Sequence, residues 1–317
     1  MLRLRYNYAL GGRQNSSAAT APIVNTAREF AVTRLLLILF VAASTFAPAA
    51  VAQRVPDTLA KIKTAGSITV AFSGDSLPFS FVEPNNQPGG YSIDLCKRVI
   101  SAIGRAVGVA DLKINWVVDT VPNRIAMIAS GKADLECANT TASQTRMKDV
   151  DFSNLIFVDG GGFMVRADST IMGFPDFASK TIAVTAGTTT EQRLNGMLKD
   201  RMINAKVVTV KDGVEGVAML ESGAVAAFAS DKIKLIGLAA HAKDPKVFAL
   251  LSEDLSFEPY AFMLPHNDSA FRLEVNKALT QIYLSGDIEQ IFLKWLGKLG
   301  RPSGLLAAMY VLNAIPQ

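Results

Sequence analysis

The chain is poor in the side chains that most catalytic chemistry draws on. It has only two cysteines and two histidines in 317 residues. His241 and His266 fall outside every motif found below, so no Ser-His-Asp or Cys-His set can be assembled. No metal-ligand spacing and no phosphate-gripping glycine loop occurs, and no cofactor or metal is expected. Basic charge is scarce once the N-terminus is set apart. Residues 1–52 hold Arg3, Arg5, Arg13, Arg28 and Arg34 against Glu29, a net of +4. The whole chain is formally +4, so residues 53–317 are near neutral (+4 − 4 = 0). That leaves no surplus for nucleic acid or for an anionic membrane. A long apolar run is also missing: Leu35–Phe46 is too short to span a bilayer comfortably.

That short run fits an export leader instead. A basic stretch precedes it, and Ala50-Val51-Ala52 places small residues at −3 and −1 before Gln53. Residues 1–52 are expected to be a cleavable signal peptide, which implies a periplasmic protein; an uncleaved anchor is the alternative. No cysteine follows the cleavage position, which argues against a lipid-anchored form. In an oxidising compartment Cys96 and Cys137 could pair, or both could pack as small buried hydrophobes.

About 265 residues remain, half of the chain is hydrophobic, and strand and helix signals alternate, which predicts α/β layering. Ser67–Ser73 reads as a buried strand, Tyr91–Val107 as a helix, Lys113–Val118 as a strand and Pro122–Ala129 as a short helix stopped at Ser130-Gly131. Asp134–Cys137 is then a strand. A related unit follows about ninety residues later: strand Thr181–Val184, helix Thr188–Leu198, strand Ala205–Val210, helix Gly213–Glu221 and strand Val225–Ala229. The segments MIASGKADLECAN (127–139) and MLESGAVAAFASD (219–231) share the order helix, Ser-Gly stop, apolar strand, polar terminus. Two similar lobes would each present polar groups at a strand's carboxyl end, where ligands bind in open α/β sheets. The chain leaves the first lobe near Val158–Gly162 and returns near Pro259–Met263. Gly160-Gly161-Gly162 could give hinge rotation, as could extended strands. Asp268–Leu284 and Asp287–Leu296 read as helices, and Arg301–Gln317 as an apolar-rich tail with no assigned role.

The most informative run is Asp134–Ser153, DLECANTTASQTRMKDVDFS. An apolar strand enters a polar loop with Asn139, Thr140 and Thr141, and Arg146 follows near the start of a short helix. Hydroxyls, helix-start amides and a guanidinium within a few residues suit a small carboxylate, which Arg grips with paired hydrogen bonds.

With PFSF (78–81), GYSIDLCKRV (90–99), NRIAMIASGKADLECANTT (123–141), TRMKDVDFS (145–153), TAGTTTEQRL (185–194) and ESGAVAAFASDK (221–232) in order, the chain resembles the periplasmic polar-amino-acid-binding proteins of ABC importers, solute-binding family 3. The glutamate/aspartate-binding subgroup is the nearest. The resemblance spans roughly Val55–Gly297. It implies a two-lobed type II periplasmic-binding-protein fold: lobe I from 53–158 and 260–298, lobe II from 159–259, a tail at 299–317, and crossover strands as the hinge. It also implies a monomer that carries a free acidic or polar amino acid to an ABC permease in the inner membrane.

Carried over by position, Arg146 and the Thr141 hydroxyl would hold the ligand's α-carboxylate, with Asn139 nearby and Thr188-Thr189 adding amide donors. Asp231 would take the α-ammonium, and Arg124 would reach the side-chain end. Thr188-Thr189 could equally be a helix cap. Three positions depart from the acidic subgroup: Ser73 stands where an Arg is common, Val121 replaces a hydroxyl residue, and Gly213 stands where a His is common. The α-amino-acid clamp is therefore better represented than the side-chain pocket. Two other classes share the fold, a cyclohexadienyl (prephenate/arogenate) dehydratase and a ligand sensor docked on a membrane receptor. Dehydration needs a placed general acid or base, and the nameable pocket residues are Asp231, Glu136 and two arginines, so a non-catalytic binder is favoured.

Overall fold

The computed structural model describes residues 57–315; the leader expected over 1–52 lies outside them. Helix α1 (Thr58–Ala65) leads into strand β1 (Ser67–Ser73). Short strands β2 (Asp75–Ser76), β3 (Ser80–Val82) and β4 (Pro88–Gly89) form a small antiparallel sheet. Helix α2 (Tyr91–Val107), strand β5 (Lys113–Asp119), helix α3 (Arg124–Ala129) and strand β6 (Leu135–Glu136) complete the first run. The long strand β7 (Val150–Arg166) carries the chain into the second run: β8 (Thr181–Thr185), α4 (Thr189–Asp200), β9 (Lys206–Val210), α5 (Gly213–Glu221), β10 (Ala227–Asp231) and α6 (Lys232–Ala240). Strand β11 (Phe248–Leu250) precedes β12 (Ser256–Pro265), which brings the chain back. Helices α7 (Ser269–Leu284), α8 (Asp287–Leu296) and α9 (Gly304–Asn313) follow.

The main sheet runs β5-β1-β6-β12-β7-β10-β8-β9. Its outer thirds are parallel: β1 pairs with β5 and β6, and β8 with β9 and β10. Its centre is the antiparallel pair β7–β12, which extends from Ser256↔Gly161 to Pro265↔Val150 and belongs to both halves. This is the expected two-lobed α/β fold with crossover strands as hinge. Each half has its own core. Ile93, Leu95, Cys96, Val99, Ile100 and Ile103 of α2 are buried at helical spacing in the first, and α2 ends at Gly108 in the left-handed region, φ 76°. Phe163, Phe174 and Phe177 anchor one face of the second sheet, and Phe228 with Leu235 the other. Each fully buried aliphatic or aromatic side chain contributes about 1.5–3 kcal/mol. At the hinge, Phe79, Tyr91, Phe157 and Tyr260 pack edge to face, with centroids 4.9 to 6.0 Å apart for Phe79 against the other three.

The recurrence seen in sequence has a structural counterpart. Gly131 after α3 and Gly223 after α5 both adopt φ near +75° (72° and 75°), which stops each helix before β6 and β10. The strands themselves differ from expectation. β6 is only Leu135–Glu136, although the Asp134 and Cys137 amides on either side still bond the Thr69 and Ala71 carbonyls of β1; the Asp134 carboxylate also accepts the Thr69 amide and pairs with Lys61. β10 begins at Ala227 rather than Val225 and extends to Asp231.

The glycine run is not a flexible turn. Gly160, Gly161 and Gly162 are extended residues of β7, paired with Phe257, Ser256 and Ser230. A Cβ on Gly162 would meet the Lys232 side chain at 2.7 Å, and one on Gly161 would run into the Ser256 hydroxyl. Gly161 and Gly162 are closely packed against the Ser256 and Lys232 side chains, and all three glycines belong to the strand pair that links the lobes.

Cys96 of α2 and Cys137 at the end of β6 are joined by a disulfide, Cα–Cα 6.1 Å. It ties the first lobe's main helix to the base of the loop that carries Asn139 and Thr141. The tail also has a place. In α9, the Tyr310 hydroxyl meets that of Tyr91 (2.9 Å), and the Asn313 side-chain oxygen accepts the Leu155 amide (3.1 Å).

Candidate functional site

The first wall of the site is the Asn139–Thr141 loop. It is laced to β12 by the Ala261 amide on the Thr140 carbonyl (3.1 Å) and the Ala142 amide on the Pro259 carbonyl (2.8 Å). Thr140 turns inward and donates its hydroxyl to Glu136 (2.8 Å), which leaves Asn139 and Thr141 facing the cleft. The second wall is the turn before α4. Thr188 is the helix cap: its hydroxyl accepts the Glu191 amide (3.1 Å) and donates to the Thr185 carbonyl (2.7 Å). Thr189 directs its hydroxyl across the cleft.

Between the walls lies a cavity of about 30 Å³, lined by Arg124, Asn139, Thr141, Thr188, Thr189 and Asp231 among others. Six of the expected residues therefore meet in one place. The other two stand one layer back. The Ser73 hydroxyl donates to Asp75 (3.0 Å) and meets that of Ser76 (2.8 Å). Arg146 is buried and donates from Nη1 to the Thr141 carbonyl (2.8 Å), bracing the loop from behind. Burial and the nearby Arg124 pull the Arg146 pKa down to about 10, against the negative charges of Glu258, Glu136 and Asp231. A larger hollow of about 730 Å³ lies between the hinge strands and the tail, but its walls are mainly apolar and carry none of the expected residues.

Asp231 is gripped from three directions. Its carboxylate accepts the Tyr260 hydroxyl (2.7 Å), the Asn139 side-chain amide (3.3 Å) and the Thr190 hydroxyl (3.2 Å). Burial, and then the charge of Glu258, raise its pKa above the ordinary carboxylate value. Asp159 lies beside it and accepts the Ile233 amide (3.1 Å) and the same tyrosine hydroxyl (3.2 Å). Burial, then the Asp231 charge, raise the Asp159 pKa to about 7. A cation arriving at Asp231 would relieve both.

Sequence reasoning missed three residues. Glu258 of β12 is 1 % exposed, and its carboxylate accepts hydroxyls from Thr141 (2.5 Å), Thr189 (2.8 Å) and Ser256 (2.5 Å). A protein carboxylate thus already engages the two threonines assigned to a ligand's carboxylate, one from each lobe. Tyr260 is the second. The usable signal was the alternation Ser256, Glu258, Tyr260, which puts three polar groups on one face of a returning strand. The third is Lys234 of α6, three residues after Asp231 in a helix that is apolar from Leu235 onward. It is 6 % exposed and lines the cavity.

At that end Lys234 Nζ is 3.3 Å from Asp75 and 3.3 Å from the Ser76 hydroxyl. Asp75 also accepts the Gly213 amide at the start of α5 (2.9 Å). Burial pushes the Asp75 pKa up, but Lys234, the Gly213 amide and Ser73 together outweigh it and hold the carboxyl below its usual value. On the opposite side is Arg124, 6 % exposed, with no hydrogen-bond partner for Nε among the described residues. Behind it, burial and the charge of Glu136 raise Asp119 to about 8 against the pull of Arg124. The Thr185 hydroxyl, also on the cavity wall, likewise has no partner among the described residues.

Two hinged lobes closing on a polar, charge-lined cleft define a solute-capturing protein of the type II periplasmic-binding class. Residues 68–298 match the model of the bacterial extracellular solute-binding proteins, family 3, and the chain belongs to that family. It is a binding protein and not one of the enzymes that share the fold. It is 37% identical over 273 residues to the L-glutamate/L-aspartate-binding protein of Pseudomonas aeruginosa, covering 86% of this chain and 90% of that protein. It is 33% identical over 238 residues to the glutamate/aspartate import solute-binding protein of Salmonella typhimurium, covering 75% of this chain and 79% of that one. Among solved structures, an ancestral arginine-binding protein bound to arginine superposes with a TM-score of 0.66 at 27% identity, covering 73% of this chain and 99% of that one.

Proposed function

We propose that this protein captures a free acidic amino acid, glutamate or aspartate, outside the cytoplasmic membrane and delivers it to an ABC-type importer. The observation that carries this reading is the sharing of one cavity by Asp231, a carboxylate hydrogen-bonded from both lobes, and Arg124, a buried guanidinium with an unpartnered Nε. A zwitterion with an acidic side chain presents the matching ammonium and carboxylate. Asp231 takes the α-ammonium. The α-carboxylate sits at the first amides of α4, with Arg146 supplying positive potential from behind the loop, and the Thr141 and Thr189 hydroxyls reach it by turning away from Glu258. Arg124 takes the distal carboxylate. The named relatives, both glutamate/aspartate binders, favour the same class.

The accompanying parts of the reading are a cleavable leader over 1–52, periplasmic location, a monomer, and a permease partner. The lobes divide as 53–158 with 260–298 and 159–259, with 299–317 as a tail clasped to lobe I. Three or four charged hydrogen bonds of about 1.5–3 kcal/mol each support micromolar affinity, about −8 kcal/mol, after ordering costs. Calorimetric titration of the purified, ligand-stripped protein with the common amino acids is the test. Glutamate or aspartate should bind near the micromolar range and raise the unfolding temperature. No heat from either at millimolar concentration would overturn the proposal.

A further inference from the structure

We infer that Lys234 sets the ligand's side-chain class, with its ammonium gripping the distal carboxylate from lobe II while Arg124 grips it from lobe I. This inference rests on the proposed capture of an acidic amino acid.

The geometry is specific to this cleft. Lys234 is almost wholly buried, lines the cavity together with Arg124, and enters it from the opposite lobe. An ammonium group has three N–H donors. Asp75 and the Ser76 hydroxyl take two, which leaves one for the cavity. Placement agrees as well. Asp231 ends β10 in an extended conformation and Lys234 lies in the first turn of the helix that follows, and both line the one cavity. A ligand whose ammonium rests on Asp231 can thus turn its distal carboxylate toward Lys234.

The same contacts explain a departure from the acidic binders. Gly213 has no side chain, and any Cβ there would meet the Lys234 Cε at 3.2 Å and Leu238 at 2.6 Å. Leu238 first, and the Lys234 stem beside it, fill the room that a side chain at 213 would need. The cation therefore reaches the cleft from α6 instead of from the start of α5. Ser73, where an Arg is common, has a related part: its hydroxyl donates to Asp75, the carboxylate that shares the Lys234 ammonium.

A second reading makes Lys234 only a clasp between the lobes through Asp75. Titration of wild type, Lys234→Met, Lys234→Arg and Asp75→Asn with L-glutamate and L-glutamine separates the two. Lys234→Met should weaken glutamate binding about 10- to 100-fold and glutamine binding less than about threefold. Lys234→Arg should recover most of the glutamate preference. Asp75→Asn, which frees the ammonium from its competing carboxylate, should raise the glutamate-to-glutamine ratio, and it tests the inference even if Lys234→Met does not fold. Equal losses of both ligands in Lys234→Met and Asp75→Asn, with wild type binding glutamate, would overturn the role of Lys234 and leave the proposed function standing. A wild type that binds no acidic amino acid would overturn both.

Discussion

The two ends of the cavity are built by different means. At the end assigned to the α-amino acid group, loops from both lobes converge on carboxylates that the protein itself supplies: Thr141 and Thr189 on Glu258, Asn139 and Thr190 on Asp231. The hydroxyls of Thr141, Thr189 and Thr190 already have partners, so the geometry is set before a ligand arrives. At the distal end, charges are placed but incompletely satisfied. Arg124 has an unpartnered Nε, Thr185 an unpartnered hydroxyl, and Lys234 a spare donor. A rigid recognition end and an underused cationic end together describe a site that accepts one backbone chemistry and selects on the side chain.

Asp231→Asn attacks the common end and should have the largest effect. An amide cannot offer a full negative charge to the ammonium. Affinity should fall by at least about 2 kcal/mol, some 30-fold or more, for every free amino acid that binds. Calorimetry with glutamate and glutamine in parallel gives the check. A loss confined to one ligand would mean that Asp231 is not the ammonium site.

Arg124→Gln attacks the distal end and should discriminate. Glutamate affinity should drop about 10- to 100-fold and glutamine affinity by less than about threefold, because only the former loses a charge-assisted bond. Uniform loss would instead mark Arg124 as support for the wall between Asp119 and Glu136.

The contrast between the ends also separates what could be read in the sequence from what could not. The α-amino-acid end is made of short local motifs, NTT and TTT after strands, and Asp231 at a strand's end, and these lie in register with a helix start or a loop. Their convergence follows from the repeated helix–glycine–strand unit, so two lobes and facing walls were legible. Glu258 and Lys234 were not. Neither lies in an element read from the sequence, Glu258 standing just before the Pro259–Met263 return and Lys234 just after the strand ending at Asp231, and each meets its partners only through tertiary contacts: Glu258 is 117 residues from Thr141, and Lys234 is 159 from Asp75. Three substitutions seen as losses, at Ser73, Val121 and Gly213, could not be weighed singly. The compensation for one of them is a lysine on a different helix. The glycine run in β7 was legible as part of the connection between lobes, but its extended pairing and its packing against Ser256 and Lys232 were not.

The smallest effect concerns the hinge carboxylate that borders the rigid end. Asp159 has its pKa raised to about 7 in the folded protein, against about 3.9 for an unfolded Asp, by burial first and by Asp231 second. The folded state therefore holds a proton that the unfolded chain has lost. The stability linked to this group is complete below about pH 4 and is lost as pH rises through about 7. Asp159→Asn abolishes that dependence, so the stability of the variant relative to wild type should improve between pH 4 and 7, by on the order of 1 kcal/mol or more. Denaturant melts at several pH values measure the slope, and an unchanged slope in the variant would place the titration elsewhere. Ligand should shift the same equilibrium. An ammonium on Asp231 cancels the charge that helps hold the Asp159 proton, so binding near neutrality should release protons and strengthen as pH rises. Titrations in buffers of different ionisation enthalpy would detect the release, and its loss in Asp159→Asn would tie the hinge carboxylate to the ammonium end of the cleft.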